Sequence, residues 1–174
     1  MARALVVFES MFGSTEEVAR EIAAGLAELV EVDVERAGPA VSVGDDVDLV
    51  VAGGPTHAFG MSRPVTRSSA GEQGADAEVA AGPGLREWLA GRRLSRAQSV
   101  STFDTRIKKK GVPGSAARAA ERRLRRSGAR VLAPSVSFWV AGTEGPLLPG
   151  ERDRARQWGR ELGEKLVQRQ GLPA

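Results

Sequence analysis

Residues 5–22, LVVFESMFGSTEEVAREI, contain an apolar run, a turn rich in hydroxyl groups and an amphipathic helical pattern in direct succession. A short apolar run rich in valine is typical of a strand that is buried on both faces. The helix that follows begins with backbone N–H groups that have no partner inside the helix, and such groups attract anions. The junction therefore predicts an open α/β sheet with a phosphate site at the end of its first strand.

The same turn also matches a pattern that needs no ligand. Ser14 and Glu17 have the spacing of a capping box, which starts many helices that bind nothing. A capping box requires neither the preceding glycine nor the other hydroxyls of the turn, so the local pattern leaves both interpretations open. No lysine or arginine lies between Phe8 and Val18. An anion bound here is therefore expected to be held by dipoles and hydrogen bonds rather than by a charged side chain.

The composition excludes several kinds of chemistry. The 174 residues include no cysteine and one histidine. Thiol catalysis, iron–sulfur clusters and disulfides are therefore excluded, and no metal site is expected. The first apolar run is too short for a signal peptide, and no apolar stretch reaches the length of a membrane span. We therefore expect one cytoplasmic domain over 1–174 with no membrane partner.

Charge is unevenly distributed along the chain. Residues 1–60 contain three basic and eleven acidic residues, although the whole chain has a formal net charge of +3. The densest basic block, Arg106–Arg126, contains nine Lys or Arg residues and a single acidic residue, Glu121. Such a block attracts nucleic acid, acidic proteins or anionic ligands, but it is also typical of solvated helix faces. Because the block has no interleaved aromatic residues for base stacking, nucleic acid is the disfavoured partner.

Five short apolar runs alternate with helical patterns. The strand patterns cover Ala4–Phe8, Val30–Val34, Leu49–Ala52, Ser99–Phe103 and a region over 130–140 that Pro134 interrupts. The helical patterns cover 18–29, Leu85–Leu89, Ala116–Arg126 and Glu151–Gln168. The alternation predicts an α/β fold, a single doubly wound five-stranded parallel sheet with helices on both faces. Ligands of such sheets bind beyond the carboxyl ends of the strands, here in the loops 10–15, 54–67 and 102–115.

Residues 62–84 differ from the rest of the chain. They are rich in serine, glycine, alanine and charged residues, and they contain almost no large apolar residue. A segment of this length without apolar periodicity is typical of a functional or disordered loop. We therefore expect a mobile insertion within the single domain.

Two motifs resemble the signatures of a known family. Val6-Val7-Phe8 ends the first strand, Ser10 and Gly13 lie in the turn, and Thr15 opens the helix. Gly53-Gly54-Pro55-Thr56 follows the third strand. Together these motifs resemble the flavodoxin-like family of FMN-binding proteins, whose three-layer sandwich has the strand order 2-1-3-4-5. A Walker loop and the dinucleotide fingerprint GxGxxG, which mark other phosphate-binding folds, are both absent.

The resemblance implies an FMN site built from three loops. The FMN phosphate is expected to bind the turn formed by Ser10, Met11, Phe12, Gly13, Ser14 and Thr15. Contacts to the flavin ring are expected from Pro55, Thr56, His57, Ala58, Phe59 and Gly60, and from Thr102, Phe103, Asp104 and Thr105. The side chains of Met11 and Phe12 are expected to pack over their loop, so that only their main chain serves the phosphate.

The loops that would contact the ring depart from the family pattern. The family often has a tryptophan where this chain has His57, and a tyrosine over the outer ring face, whereas this chain has no tyrosine. His57 either stacks on the flavin or hydrogen-bonds its own backbone. Phe59 and Phe103 either contact the ring or pack in the core. Gly60 lies where a family glycine can flip its peptide toward the reduced flavin, because glycine permits the φ values required.

The resemblance further implies an FMN flavoprotein that acts in electron transfer or small-molecule reduction, as a carrier or as an oxidoreductase. The basic run Lys108–Lys110 lies beside the expected flavin and predicts an acidic redox partner protein for a carrier. A reductase would instead take a small anionic substrate, with Arg63 and Arg67 as its clamp. The departures described above leave a second interpretation open, in which a flavodoxin-like binding module has lost FMN and recognises an anionic or acidic partner.

Overall fold

A mostly parallel sheet forms the centre of the structure, a computed structural model that describes residues 1–92, 94–109 and 113–171. The strands are β1 (Arg3–Phe8), β2 (Glu31–Arg36), β3 (Leu49–His57), β4 (Gly60–Met61), β5 (Ser99–Ile107), β6 (Arg130–Val131) and β7 (Val136–Val140). The helices are α1 (Ser14–Leu26), α2 (Pro64–Glu72), α3 (Ala77–Ala81), α4 (Leu85–Ala90), α5 (Ala116–Arg126) and α6 (Glu151–Gln170). The strands lie in the order β2-β1-β3-β5, with β6 and β7 along the outer edge of β5.

This arrangement confirms the predicted doubly wound sheet. β6 pairs with the first residues of β5 and β7 pairs with Phe103–Ile107, so the two short strands together occupy the fifth position. Pro134 lies between them, where a residue without an N–H group interrupts the ladder least. Counted by position, the order is 2-1-3-4-5, as predicted. Within the described residues, the addition to the prediction is β4, which pairs antiparallel with the end of β3.

The side chains of each central strand alternate between two apolar layers. In β1, Val6 and Phe8 belong to the layer formed with α1 and α6, whereas Leu5 and Val7 belong to the layer formed with α4 and α5. Because both sets are buried, β1 has a continuous apolar sequence. The helices cover the sheet with one face and keep a polar face outside, and none of those described is apolar enough over its length to cross a membrane.

Helices α1 and α6 pack on one another at two glycines. A Cβ atom at Gly159 would overlap the backbone of Ile22, and a Cβ atom at Gly25 would overlap the backbone of Arg156. The absence of both side chains therefore lets the two helix backbones meet directly. This contact fixes α1, the helix whose N-terminus opens at the carboxyl edge of the sheet.

Two strands extend further than their apolar runs predict. The sequence predicts that β3 ends at Ala52 and β5 at Phe103, but the strands continue to His57 and Ile107. The extensions pair in register with one another, so each is held by its neighbour rather than by its own hydrophobicity. As a result, the carboxyl edge of the sheet, where ligands bind, lies further along the chain than the apolar runs predict.

The segment over 62–84 contains the helices α2 and α3, which corrects the expectation of an insertion without regular structure. Pro64 lies in the first turn of α2, where proline is tolerated, and Asp76 caps α3 by accepting hydrogen bonds from two backbone N–H groups. The buried positions of these helices include Ala70 and Ala80. Alanine favours helices but adds little to hydrophobic periodicity, which explains why the sequence pattern missed them.

Candidate functional site

A cleft opens at the carboxyl edge of the sheet, between the turn before α1 and the ends of β3, β5 and β7. Nine of the sixteen residues predicted for the site line it: Ser10, Met11, Phe12, Ser14, Thr15, Pro55, Thr56, His57 and Thr105. The volume of the cleft is about 100 Å³, which is the space of about three water molecules. A group of phosphate size therefore fits inside, and the rest of a larger ligand would extend over the rim.

Helix α1 begins at this cleft with an uncapped N-terminus. Gly13 is the N-cap residue and has a left-handed conformation, with φ of 98°, which glycine adopts without a steric cost. Glycine has no side chain that could accept a hydrogen bond from the first N–H groups of the helix. Ser14 is already the first helical residue, so the capping-box interpretation is wrong. The first N–H groups of α1 are therefore free to bind an anion.

Hydroxyl groups fix the turn and join it to the sheet. Ser10 Oγ accepts a hydrogen bond from the N–H of Gly13 at 3.1 Å. The hydroxyl oxygens of Thr15 and Thr105 lie 2.7 Å apart, and both residues are buried. The first turn of α1 and the end of β5 are thus held together as one wall of the cleft.

The side chains of Met11 and Phe12 pack toward the segment that contains α2 and α3. Met11 is buried with Ala70 and Ala75, and Phe12 packs against the same small cluster. This packing agrees with the expectation that the two side chains anchor the loop. Their side chains are turned to this cluster, so the turn is anchored from the outside while its main chain borders the cleft.

Two arginines bring positive charge to a turn that contains none. Arg36, at the end of β2, donates to the carbonyl oxygen of Ser10 at 2.9 Å and pairs with Glu16 at 2.8 Å. Arg106 lines the cleft and donates to the carbonyl oxygen of Gly114 at 2.6 Å. The sequence predicts that dipoles and hydrogen bonds hold an anion here, and the structure adds a charged side chain, Arg106, to the lining of the cleft. Arg106 reaches the cleft because β5 continues beyond its apolar run.

Asp104 is a positioning residue beneath the cleft. Its buried Oδ2 accepts hydrogen bonds from Thr56 Oγ1 at 3.0 Å, from Ser115 Oγ at 2.5 Å and from the N–H of Ala117 at 3.0 Å. Thr56 Oγ1 also accepts a hydrogen bond from the N–H of Ala116 at 2.9 Å. The carboxylate therefore holds the end of β3 against the first turn of α5. Asp104 has this structural role instead of the ligand contact that the sequence predicts for it.

Thr102 and Phe103 lie below the site, which corrects their predicted contact with a ring. Thr102 Oγ1 donates to the carbonyl oxygen of Ala117 at 3.0 Å. The ring of Phe103 is fully buried and meets Phe138 edge-on, with ring centroids 6.3 Å apart. Phe103 therefore takes the core alternative. Of the four residues predicted in the third loop, Thr105 is the one that lines the cleft.

The turn between β3 and β4 projects past the cleft. Ala58 and Phe59 have φ values of 43° and 73°, and they are the non-glycine residues with positive φ in the described part of the chain. Two successive residues with positive φ are typical of the tight turns whose twist suits a hairpin. Gly60 pairs with His57 in this hairpin. The side chain of Phe59 is 62% exposed, so it does not anchor the loop in the core.

His57 lines the cleft as a half-buried imidazole. Burial lowers its pKa below the ordinary value of 6.5, because desolvation disfavours the charged form. The charge of Glu9 acts in the opposite direction and raises the pKa, whereas that of Arg67 lowers it further. The net effect favours the neutral imidazole, which adds no positive charge to the site.

Arg63 and Arg67 do not form the predicted anion clamp. Arg67 is 3% exposed; it donates to Ser62 Oγ at 3.0 Å and pairs with Glu87 at 3.1 Å. Arg63 is exposed and precedes α2 as its N-cap residue. Arg67 instead links Ser62, which follows β4, to Glu87 in α4. Of the predicted basic run, Lys108 and Lys109 are exposed after β5, and Lys110 lies outside the described residues.

The loop after β7 is a part of the cleft that the sequence pattern did not predict. The loop contributes Gly142 and Thr143, next to Val140 at the end of β7, and its Gly145 closely approaches the hydroxyl group of Ser14. Ile107 completes the lining from the extended end of β5. The sequence does contain an indication of this loop, because glycines and a proline follow the fifth strand. The carboxyl ends of parallel strands meet at one edge of the sheet, so a loop in that position borders the ligand site.

Several solved structures share this fold. A flavodoxin from the domain Archaea is 16% identical over 94% of this chain and 98% of its own, with a TM-score of 0.63. The flavodoxin of Streptococcus pneumoniae TIGR4 is 22% identical over 94% of this chain and 99% of its own, with a TM-score of 0.65. The flavodiiron protein of Giardia intestinalis is 17% identical over 98% of this chain and 38% of its own, with a TM-score of 0.61.

The sequence itself matches no protein-family model and no curated protein. The structural matches nevertheless cover nearly the whole chain, with TM-scores of 0.63 and 0.65 for the two flavodoxins. The chain has a flavodoxin-like fold.

Proposed function

We propose that the cleft binds the phosphate of FMN and that the protein transfers electrons through the bound flavin. The observation that carries this proposal is the start of α1, where uncapped N–H groups and the hydroxyls of Ser10 and Thr15 lie beside one cleft. A phosphate accepts hydrogen bonds from such groups, and its charge suits the positive end of the helix dipole. Structural neighbours that are flavodoxins and flavodiiron proteins add support for a flavin.

The residues around the cleft fit this cofactor. FMN would supply the redox chemistry, because its ring system accepts and returns electrons, whereas the protein binds and orients it. Pro55, Thr56 and His57 border the cleft next to the phosphate turn, where they can flank the ring. The hydrogen bond from Thr56 to Asp104 fixes this border, so the ring would meet a preformed wall.

The surface beside the cleft suits an acidic redox partner. Phe59 and Ile107 are 62% and 44% exposed, and the exposed Lys108 and Lys109 directly follow Ile107. An apolar centre with a charged rim is typical of a transient protein interface, and the positive rim selects a partner of opposite charge. This arrangement favours a carrier, because the arginines of the expected substrate clamp do not meet at the cleft.

Binding of FMN is tested by titrating the apoprotein with FMN and with riboflavin, following the quenching of flavin fluorescence. Riboflavin has the same ring system and lacks the phosphate. We expect FMN to bind at least about tenfold more tightly, because charge-assisted hydrogen bonds to the phosphate are lost with riboflavin. Equal affinity for the two compounds would refute the phosphate site, and a lack of quenching by either would refute flavin binding altogether.

The carrier role is tested on the FMN-loaded protein. We expect the reduced protein to pass electrons to an acidic acceptor protein faster than to a basic acceptor of similar potential, with a rate that falls as salt rises. Replacement of Lys108 and Lys109 by glutamine should remove most of this salt dependence. Steady turnover of a nicotinamide with a small substrate, and no preference between the acceptors, would instead identify a reductase.

A further inference from the structure

A second groove lies at the opposite end of the molecule from the cleft. It is formed by the end of α4, the residues that follow it and the end of α5, and its volume is about 740 Å³. α5 begins near the carboxyl edge of the sheet and runs back along it, so its last turn lies far from the proposed flavin site. Sites for small molecules have volumes of about 300–1,000 Å³, and this groove falls within that range.

The groove is lined by four arginines and by no acidic residue of the described chain. The arginines are Arg92, Arg96, Arg123 and Arg126, and leucines of α4 and α5 also line the groove. The nearest acidic residue on α5, Glu121, is already committed, because it accepts hydrogen bonds from Arg125 and from the N–H of Ser135. Four like charges therefore share one concave surface without a neutralising carboxylate.

The arginines of the groove differ in this respect from several others at the surface. On the α1 and α6 side of the sheet, Arg156 pairs with Glu21 and Arg160 pairs with Glu28. Within the described residues, Arg96, Arg123 and Arg126 form no ion pair. Clustered cations repel one another, and a bound anion removes that repulsion.

One of the four arginines is held in place before any ligand arrives. Arg92 donates to the carbonyl oxygens of Pro39 and Val41, at 3.3 and 2.5 Å, and its guanidinium lies 5.6 Å from the centre of the Trp88 ring. Its Nε has no hydrogen-bond partner among the described residues. A fixed guanidinium loses little entropy on binding, so it is a suitable anchor for an anionic group.

We propose that this groove binds an oligophosphate, either a nucleoside triphosphate or a short inorganic polyphosphate. Arginine forks match phosphate oxygens in bidentate geometry, and four guanidinium groups balance the roughly four negative charges of a triphosphate at neutral pH. The concave shape suits a flexible chain of phosphates. The site is separate from the FMN cleft, so it does not depend on the function proposed above.

The proposal is tested by calorimetric titration of the protein with tripolyphosphate, ATP and AMP at 0.15 M salt, once without FMN and once with FMN in excess. The groove variant is Arg123→Gln combined with Arg126→Gln. Its matched control, Arg156→Gln with Arg160→Gln, removes the same charge from α6. We expect tripolyphosphate to bind the wild type and the control alike, and the groove variant at least about tenfold more weakly, because charge-assisted hydrogen bonds are lost. Tighter binding of ATP than of tripolyphosphate identifies a nucleotide as the ligand, and equal binding identifies the phosphate chain.

Three outcomes would overturn the proposal: no binding of tripolyphosphate or ATP to the wild type, an equal loss in both double variants, or AMP binding as tightly as ATP. An equal loss would mean that net charge alone attracts the anion. Arg96→Gln provides a second groove variant in case the double variant unfolds, which circular dichroism detects. The loss in the groove variant should be the same with and without FMN, because the groove is separate from the cleft.

Discussion

The hydroxyl oxygens of Thr15 and Thr105 lie 2.7 Å apart at the base of the cleft, where the first turn of α1 meets the end of β5. Both residues are buried, so their hydrogen bond lies in a region shielded from water. The contact joins elements that are ninety residues apart in the chain. It aligns the uncapped N–H groups of α1 with the sheet edge, and it therefore links the fold to the proposed phosphate site.

Replacement of Thr105 by valine should weaken FMN binding without changing the shape of the site. The hydrogen bond to Thr15 is lost, so we expect the dissociation constant of FMN to rise about fivefold, in line with one hydrogen bond. Thr102→Val is the matched control, because Thr102 donates to the backbone of α5 and lies below the cleft. Both variants should lose about 1 kcal/mol of unfolding free energy. An equal loss of FMN affinity in both variants would contradict the placement of Thr105.

Asp104 should contribute more to stability than any exposed carboxylate. Removal of its side chain leaves three donors without their acceptor, two of them on buried residues, so we expect Asp104→Ala to lower the unfolding free energy by about 3 kcal/mol in urea. Asp45 is exposed, and Asp45→Ala should stay within about 0.5 kcal/mol of the wild type. Similar losses in the two variants would show that the carboxylate does not hold β3 against α5.

The sequence predicts those parts of the site that local chemistry determines. A buried strand followed by a glycine turn and a helix is a local pattern, and it located the turn before α1 correctly. The ends of β3 and β5 depend instead on pairing between distant segments, as at Gly53 and Phe103, so hydrophobicity placed them too early. Because the predicted end of β5 lies too early in the chain, Thr102 and Phe103 were included in the predicted site and Arg106 was not.

Burial of His57 should make the stability of the apoprotein depend on pH. Because its pKa is lowered in the folded protein, the unfolded chain binds a proton near pH 6.5 that the folded protein does not. The unfolding free energy should therefore fall as the pH is lowered from 7.5 through 6.5 to 5.5. His57 is the single histidine of the chain, and the lowered pKa values of Glu87 and Glu151 keep those carboxylates out of this range.

The measurement is urea unfolding of the wild type and of His57→Gln at these pH values. The variant has no imidazole to protonate, so its unfolding free energy should change less than that of the wild type between pH 7.5 and 5.5. Parallel pH dependence of the two proteins would mean that the imidazole is as well solvated in the folded state as in the unfolded chain.

Two glycines of α6 should respond differently to the same substitution. Alanine in place of either glycine gains about 0.5–1 kcal/mol from helix propensity. At Gly163 the new Cβ would meet the side chain of Leu29 at 3.1 Å, and a flexible side chain can move. At Gly159 it would overlap the backbone of Ile22 in α1, which can yield only if the two helices separate.

We therefore expect Gly159→Ala to lower the unfolding free energy by about 2 kcal/mol, and Gly163→Ala to change it by less than about 1 kcal/mol in either direction. Displacement of α1 should also disturb its N-terminus, so Gly159→Ala should weaken FMN binding whereas Gly163→Ala should not. Urea unfolding and FMN titration of both variants check these expectations. Equal stability of the two variants would mean that α6 does not rest on the backbone of α1, and that the helix at the proposed phosphate site is held by other contacts.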